Sequence, residues 1–326
     1  ALIYIYLLWQ LLIGRSNAYL PAEEYWRAKL PNTEMPKALQ DLLQKDTGSM
    51  KNFAEASVDN WQILYNIFNY NYLESASPFE KYLVSRANLT IFFLYSDLHP
   101  NTKMNLLFTK STNKATFLSR EKADYIPFSS DKLSDILIHF SITTKSKAAD
   151  AISKTLKQCE APTIEGENKY CATSLESLVN FNIATLGENI EIYSTPAQEE
   201  TKKQEYTISE GAHRVGDNAV ICHKQRYAYA VFYCHVIHST DIYLVSLAGA
   251  DGTRIEAVAV CHMDTSTWSP NHLAFQVLQV EPGPAICHFP GSDTLVWSLP
   301  VELRPPSACG MVERELCASV AHPGHV

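Results

Sequence analysis

Four Cys-His dipeptides in the second half of the chain combine a thiol and an imidazole, two groups that commonly bind transition metals. They are Cys222-His223, Cys234-His235, Cys261-His262 and Cys287-His288. They lie among runs of β-branched and aromatic residues, which favour strands, and neighbouring residues on a strand point to opposite faces. The thiol and the imidazole of one dipeptide should therefore diverge, so one dipeptide does not easily bind one metal ion.

The spacing of the dipeptides allows more than one kind of site. The intervening segments, residues 224–233, 236–260 and 263–286, are all longer than the short CxxC spacing of structural zinc sites. A zinc site built from two cysteines and two histidines would need reduced thiols. In an oxidising compartment, disulfides would leave four imidazoles, which suit copper, zinc, iron and nickel, and copper is the most tightly bound of the common divalent ions. Four histidines in the same context favour a metal site over histidines that merely pack beside structural disulfides.

Composition excludes several classes of function. The chain has 326 residues, enough for one large or two small domains with a real core. Hydrophobic residues make up 46% of the chain and charged residues 19%, which is typical of a globular protein. A net charge of -8 and no long basic stripe argue against binding to nucleic acid or to an anionic membrane.

The first residues predict entry into the secretory pathway. Residues 1–13 are mainly apolar, and the chain then turns polar and reaches Ser16-Asn17-Ala18, so residues 1–18 have the pattern of a signal peptide that is truncated at its start. The alternative is a buried helix, because the run is too short for a stable membrane span. Asn88 begins the glycosylation sequon Asn88-Leu89-Thr90. Secretion would pair most of the eight cysteines, although an even count does not give the pairing.

Helical patterns precede strand patterns along the chain, which predicts an α+β fold with a mainly antiparallel β region. Helices are expected from Pro36 through Leu43, over residues 129–142 and 147–159, and after a capping box at residues 173–176. Asp251-Gly252 indicates a hairpin. Strands are expected at 89–95, 104–110, 190–195, 227–233, 242–248, 255–261, 274–280 and 294–299.

Over residues 20–300, the sequence resembles the plant BURP-domain family. The similarity lies in "FFLYSDLHPNTKMNLLF", "FLSREKADYIPFSSDKLSDIL", "CEAPTIEGENKYCATSLESLVNF", the four Cys-His dipeptides and "TSTWSPNHLAFQVLQVEPG". The N-terminal "YWRAKLPNTEMPKAL" resembles the segment that commonly follows the signal peptide in this family. The spaced Cys-His quartet is the defining motif of the family, and the last interval here is about a residue shorter than usual.

The resemblance implies a function as well as a fold. Some family members are copper-dependent cyclases that use dioxygen to join a Trp or Tyr side chain to an unactivated carbon of a core peptide in their own chain. The cyclic peptides are released later. Other members are seed or cell-wall proteins with no established chemistry.

The resemblance also assigns roles to particular residues. The copper ligands, and so the catalytic residues, would be the four histidines of the quartet. The four cysteines of the quartet would form disulfides, and Cys159 with Cys171 would form a separate pair. Apart from the resemblance, His238, Glu256, Asp264 and His272 lie near the quartet in sequence and are candidates for supporting the ligands, although a surface or packing role is favoured for each.

Residues 60–72, "NWQILYNIFNYNY", are the candidate core peptide. In the tyrosine-ether products of the family, the phenol oxygen joins the β-carbon two residues upstream. The corresponding pairs here are Tyr65 with Ile63 and Tyr70 with Phe68, and Trp61 and Tyr72 are further aromatic candidates. The alternative is a helical face that packs on the domain.

The sequence thus predicts a secreted protein of the extracellular space, cell wall or vacuole. Its expected parts are a signal peptide (1–18), an N-terminal segment (19–45), a linker with the core peptide (46–88), a disulfide-linked BURP domain (89–300) and an atypical tail (301–326). The expected activity is Cu(II)- and dioxygen-dependent cyclisation of its own peptide, which a downstream protease then releases. The alternatives are a non-catalytic seed or cell-wall protein and a cyclase that acts on a separate peptide.

Overall fold

The computed structural model describes residues 21–43, 88–108, 115–163, 168–196, 203–236 and 239–301. The predicted signal peptide and most of the predicted tail, including Cys309 and Cys317, lie outside these residues. The whole candidate core peptide also lies outside them, which leaves the predictions for Trp61, Ile63, Tyr65, Phe68, Tyr70 and Tyr72 untested.

Most helices of the described residues lie in the first part of the chain. Ser146 begins the longest of them because its side chain accepts a hydrogen bond from the backbone N–H of Ala149 (3.1 Å). Apart from short 3₁₀ turns, the helices before the strand-rich region are α1 (Ala22–Lys29), α2 (Lys37–Gln40), α3 (Arg120–Tyr125), α4 (Leu133–His139), α5 (Lys147–Glu160) and α6 (Leu175–Leu186).

The strands form two antiparallel sheets, which confirms the predicted α+β class. One sheet has six strands in the order β1-β10-β9-β8-β5-β2, and the other has five in the order β3-β7-β6-β11-β4. The strands are β1 (Phe93–Leu94), β2 (Lys103–Leu106), β3 (Asn168–Ala172), β4 (Glu191–Tyr193), β5 (Gln204–Asp217), β6 (Val220–Lys224), β7 (Phe232–Val236), β8 (Thr240–Gly249), β9 (Arg254–His262), β10 (Ile286–His288) and β11 (Thr294–Ser298).

The two sheets pack face to face through one apolar cluster. This cluster joins Ile221 and Val296 of the five-stranded sheet to Ile242, Val258 and Val260 of the six-stranded sheet. The other face of each sheet carries a separate cluster, so each sheet buries apolar side chains on both faces. The space between the sheets and the two outer layers are therefore distinct environments for the side chains of the strands.

The predicted hairpin and two of the predicted helices are confirmed with adjusted bounds. β8 and β9 are joined by a short turn in which Gly252 has a φ of +89°, a conformation that glycine adopts without steric cost. The predicted helix at 129–142 forms over Leu133–His139, and the helix after Pro36 ends at Gln40. The capping box lies one residue later than predicted, with Ser174 and Ser177 bonded reciprocally.

Two strand predictions were wrong. Residues 274–278 belong instead to a helix, α7 (Leu273–Leu278), which Gln279 and Val280 follow. The ring Nδ1 of His272 accepts the Ala274 N–H (3.2 Å) and so caps the first turn of this helix. Leu273, Ala274 and Phe275 are buried, so the apolar run that suggested a strand packs inside as one side of a short helix. Of residues 227–233, only those from Phe232 onwards belong to a strand.

A disulfide fixes the helical layer to the five-stranded sheet. Cys159 near the end of α5 is bonded to Cys171 of β3, with the Cα atoms 5.8 Å apart. In the part of the chain that the structure describes, no helix is long and apolar enough to cross a membrane.

Candidate functional site

The four cysteines of the Cys-His dipeptides form two disulfides between neighbouring strands. Cys222 lies directly opposite Cys234 in the register of β6 and β7, and Cys261 lies directly opposite Cys287 in the register of β9 and β10. In each pair the Cα atoms are 4.0 Å apart. Disulfide formation was predicted and is confirmed, and it removes the free thiols that a Cys2His2 zinc site would need.

The histidines occupy the opposite face of the same strands. Cys222 and Cys234 belong to the outer cluster of the five-stranded sheet, whereas Ile221, which shares the face of His223, belongs to the cluster between the sheets. The same alternation applies on β9, where Cys261 faces the outer cluster and Val260 the inner one. All four histidines therefore point into the space between the two sheets, and each disulfide lies behind its pair.

The first histidine pair brings two ring nitrogens into contact. The Nε2 atoms of His223 and His235 are 3.1 Å apart. The Nδ1 atom of His223 contacts the hydroxyl of Thr294 on the adjacent β11 (3.3 Å). The ring centroid of Tyr233 lies 5.4 Å from that of His235. The two imidazoles thus point their Nε2 atoms towards one another.

The second histidine pair repeats this construction on the other sheet. The rings of His262 and His288 are nearly parallel, at 14°, with centroids 5.6 Å apart. The Nδ1 atom of His262 contacts the hydroxyl of Thr240 on the adjacent β8 (3.3 Å). In both sheets, a threonine on the neighbouring strand therefore contacts the Nδ1 atom of one histidine.

A fifth histidine and a tryptophan border the second pair. The ring centroid of Trp268 is 5.0 Å from that of His262 and 4.4 Å from that of His272. His272 is 7% exposed and also caps α7 through its Nδ1 atom. The other residues near the quartet in sequence differ from His272: Asp264 and Glu256 are exposed, and His238 lies outside the described residues.

Burial favours the uncharged form of the four imidazoles. Burial, with smaller contributions from neighbouring histidines, lowers the pKa of His223 and of His262 well below the ordinary value. It lowers the pKa of His235 and of His288 to about 4. Each pair is electrostatically coupled to the other, since His288 lowers the pKa values of His223 and His235. At neutral pH the imidazoles are therefore uncharged, which is the form that binds metals.

The geometry of the first pair fits two ligands of one metal ion. Two imidazole nitrogens bound at about 2.0–2.1 Å stand about 3.1 Å apart when the N–metal–N angle is about 100°. This matches the distance between the Nε2 atoms of His223 and His235. Among the described residues, no group of three or more His, Cys, Asp or Glu side chains is arranged to hold a metal ion. The donors are therefore grouped as pairs, and further ligands would come from outside the described side chains.

Comparison with known proteins identifies the family. The BURP domain matches residues 91–299. The chain belongs to the BURP-domain family. BURP domain-containing protein 3 of Oryza sativa subsp. japonica is 45% identical over 238 residues, which cover 71% of this chain and 54% of the relative. BURP domain protein RD22 of Arabidopsis thaliana is 43% identical over 240 residues, 71% of this chain and 60% of the relative.

The chain thus spans little more than half the length of these two BURP relatives. BURP domain-containing protein 5 of Oryza sativa subsp. japonica is matched over most of its length, with 39% identity over 298 residues, 87% of this chain and 89% of the relative. The match to this BURP protein extends well beyond the length of the domain itself.

The threonines beside the two histidine pairs were not predicted from the sequence. Replacing Thr240 or Thr294 with valine keeps the volume and removes the hydroxyl that contacts a histidine Nδ1 atom. Because such contacts orient metal-bound histidines, we expect each substitution to weaken Cu(II) binding by about 10–100-fold. Competition titration against a copper chelator measures this change.

Thr185→Val is the matched control, since the Thr185 hydroxyl donates to the carbonyl of Phe181 within α6. Unchanged Cu(II) affinity in both variants would exclude a supporting role for the threonines.

Proposed function

We propose that the protein is a copper- and dioxygen-dependent peptide cyclase that acts on its own residues 60–72. The observation that best supports this activity is the contact of 3.1 Å between the Nε2 atoms of His223 and His235, two uncharged imidazoles in a buried site. Neutral imidazole pairs suit copper, which binds more tightly than the other common divalent ions. The second pair, His262 and His288, would offer two more imidazole donors on the facing sheet, with ring centroids 5.6 Å apart.

The chemistry requires an oxidant that ordinary side chains do not provide. A bound copper ion supplies redox chemistry with dioxygen, which is needed to break an aliphatic C–H bond. In the overall balance, the peptide loses two hydrogen atoms with their electrons as the new bond forms, and dioxygen takes them up to give hydrogen peroxide. Burial favours the neutral form of the imidazoles, and the hydroxyls of Thr294 and Thr240 would orient two of them, His223 and His262, through their Nδ1 atoms.

Carrying the substrate in the same chain favours the reaction. A tethered segment has a high effective concentration at the site, which a free peptide would reach only at a high concentration in solution. The bonds proposed are between the Tyr65 oxygen and Ile63, or between the Tyr70 oxygen and Phe68, with Trp61 and Tyr72 as further partners. A protease acting later would release the product.

The disulfides fit the proposed route of the protein through the cell. Three disulfides in the described residues are typical of a chain that folds in the secretory pathway. We place the protein in the extracellular space, cell wall or vacuole. Asn88 is exposed, as a glycosylation acceptor must be.

Peptide-mapping mass spectrometry tests the proposed activity. The purified protein is incubated in air with Cu(II), without Cu(II), and with Cu(II) in the absence of oxygen. The expected result is the loss of two hydrogen atoms from the peptide that contains residues 60–72, only when copper and oxygen are both present. Fragment ions then identify the joined residues.

Two other results would point to different functions. Copper that binds and changes only stability, with no change in covalent mass and no oxygen uptake, would indicate a non-catalytic seed or cell-wall protein. Oxygen uptake in the presence of added peptide, with residues 60–72 unmodified, would indicate a cyclase that acts on a separate peptide.

A further inference from the structure

Residues 21–43 form two short helices joined by a turn, and they lie outside the region matched to the BURP domain. Its inward side is apolar: Trp26 is 2% exposed, Leu30 1% and Leu39 0%. Its outward side is charged, with Arg27 and Glu23 largely in solvent. The turn is closed by the indole N–H of Trp26, which donates to the Thr33 carbonyl (2.8 Å). The segment is thus amphipathic and has its own internal order.

This segment packs on the outer face of the five-stranded sheet. Its buried side chains join the cluster that contains Trp297 of β11, and the ring centroids of Trp26 and Trp297 are 5.8 Å apart. The same cluster contains Cys222 and Cys234. The segment therefore lies directly behind the strands that carry the first histidine pair.

Three hydrogen bonds fix the segment to different parts of the domain. The Tyr25 hydroxyl donates to Oδ1 of Asn180 on α6 (2.5 Å). The Thr33 hydroxyl donates to the carbonyl of Ile190 before β4 (2.8 Å). The backbone N–H of Phe117 donates to the carbonyl of Leu42 (2.9 Å). An apolar helix face in a groove with a few directional polar contacts is a recurrent mode of peptide recognition.

The segment leads directly into the stretch that contains the candidate core peptide. Leu43, the last described residue of the segment, packs against the outer cluster, and the next described residues, from Asn88, lead into the cluster around Leu273 and Trp268. There the ring of Phe92 lies 6.4 Å from that of His288. The described residues on either side of 44–87 thus lie behind one histidine pair and beside the other. At about 3.4 Å per residue, this length can reach any part of a domain of this size.

We propose that residues 21–43 are a docking peptide that binds the domain as a separable recognition element and holds the substrate segment at the site. Its binding surface is the groove formed by Trp297, Phe117, Asn180 and Ile190. The same groove would accept this segment when it is carried on a separate chain. The docking itself is independent of the proposed cyclase activity, and only its role in presenting the substrate rests on that activity.

A single break in the otherwise complete chain tests the docking. A protease site with flexible flanks is inserted after residue 75, the purified protein is cut, and cleavage is followed on a denaturing gel. Native size-exclusion chromatography then shows whether the N-terminal fragment, which carries residues 60–72, stays bound. We expect it to stay bound, and we expect Trp26→Ala to weaken the association by on the order of 100-fold or more, because a buried indole is lost. Arg27→Ala is the matched control, since this neighbouring side chain is 78% exposed and should leave the association unchanged.

The outcomes separate the docking from the catalytic proposal. A fragment that dissociates from the cut wild-type protein would overturn the docking. So would unfolding of the remaining domain when Trp26→Ala releases the fragment, because residues 21–43 would then be an integral part of the core. A fragment that stays bound but is never modified, in either cut or uncut protein, leaves the docking intact and contradicts the cyclase activity. Modification in the cut wild type that disappears in cut Trp26→Ala supports both.

Discussion

Between about pH 7 and pH 5, the free energy of unfolding of the metal-free protein is expected to fall by several kcal/mol. Burial lowers the pKa of His235 and of His288 to about 4, whereas a histidine in an unfolded chain titrates near about 6.5. The folded state therefore binds fewer protons, so stability is greatest above about pH 6.5 and is lost as the pH falls towards about 4. One such histidine accounts for about 2 kcal/mol of this loss at pH 5.

Urea unfolding in the presence of a metal chelator measures this dependence. The free energy of unfolding is compared across this pH range for the wild type and for His235→Gln, which should lose the contribution of one buried imidazole. His139→Gln is the control, because His139 is exposed at the end of α4. A free energy of unfolding that stays constant over this range would show that the histidines are solvated or already protonated in the folded protein.

Replacing either His223 or His235 with alanine is expected to weaken Cu(II) binding by about 100-fold or more. Losing a group that only orients a ligand costs about 10–100-fold in metal affinity, and losing the ligand itself should cost at least as much. Because the two Nε2 atoms are 3.1 Å apart, removing one leaves a single imidazole where a pair could bind one ion. Cu(II) titration followed by electron paramagnetic resonance measures both the affinity and the number of nitrogen ligands.

The same titration on His262→Ala and His288→Ala decides how the four histidines are divided. A stoichiometry that falls from two ions to one in each variant would indicate a separate site for each pair. One ion bound by the wild type, with lower affinity in all four variants, would indicate a shared site. Wild-type affinity and spectrum in all four variants would contradict copper binding by the quartet. His139→Ala again serves as the control.

The divergence of thiol and imidazole follows from the sequence because it depends only on strand alternation. Once residues 222–223 and 261–262 lie on strands, Cys and His must face opposite sides. The sequence could not show which strands are neighbours, so the pairing of Cys222 with Cys234 and of Cys261 with Cys287 needed the sheet register. Apolar strand patterns permit many registers, and long-range packing selects one of them.

The parts of the site that sequence reasoning missed depend on contacts across the sheet. Thr240 and Thr294 are far in sequence from the histidines they contact, and only the pairing of β8 with β9 and of β11 with β6 brings them there. The helix α7 was missed because residues 274–280 are apolar enough for a buried strand. The imidazole of His272 caps α7, and a capping residue of this kind favours the helix at its first turn. In the sequence, His272 is distinguished only by its closeness to the quartet, and its capping role depends on the local fold.

The placement of each disulfide behind its histidine pair links metal choice to the place of folding. In a reducing compartment, four free thiolates would become available, and soft sulfur ligands select Cu(I) and zinc. When the disulfides Cys222–Cys234 and Cys261–Cys287 form, the thiolates can no longer compete for a metal ion, and the imidazoles remain as the available donors. Thiol oxidation should therefore precede metal loading during maturation, and the compartment in which the chain folds selects which donor atoms it offers to a metal.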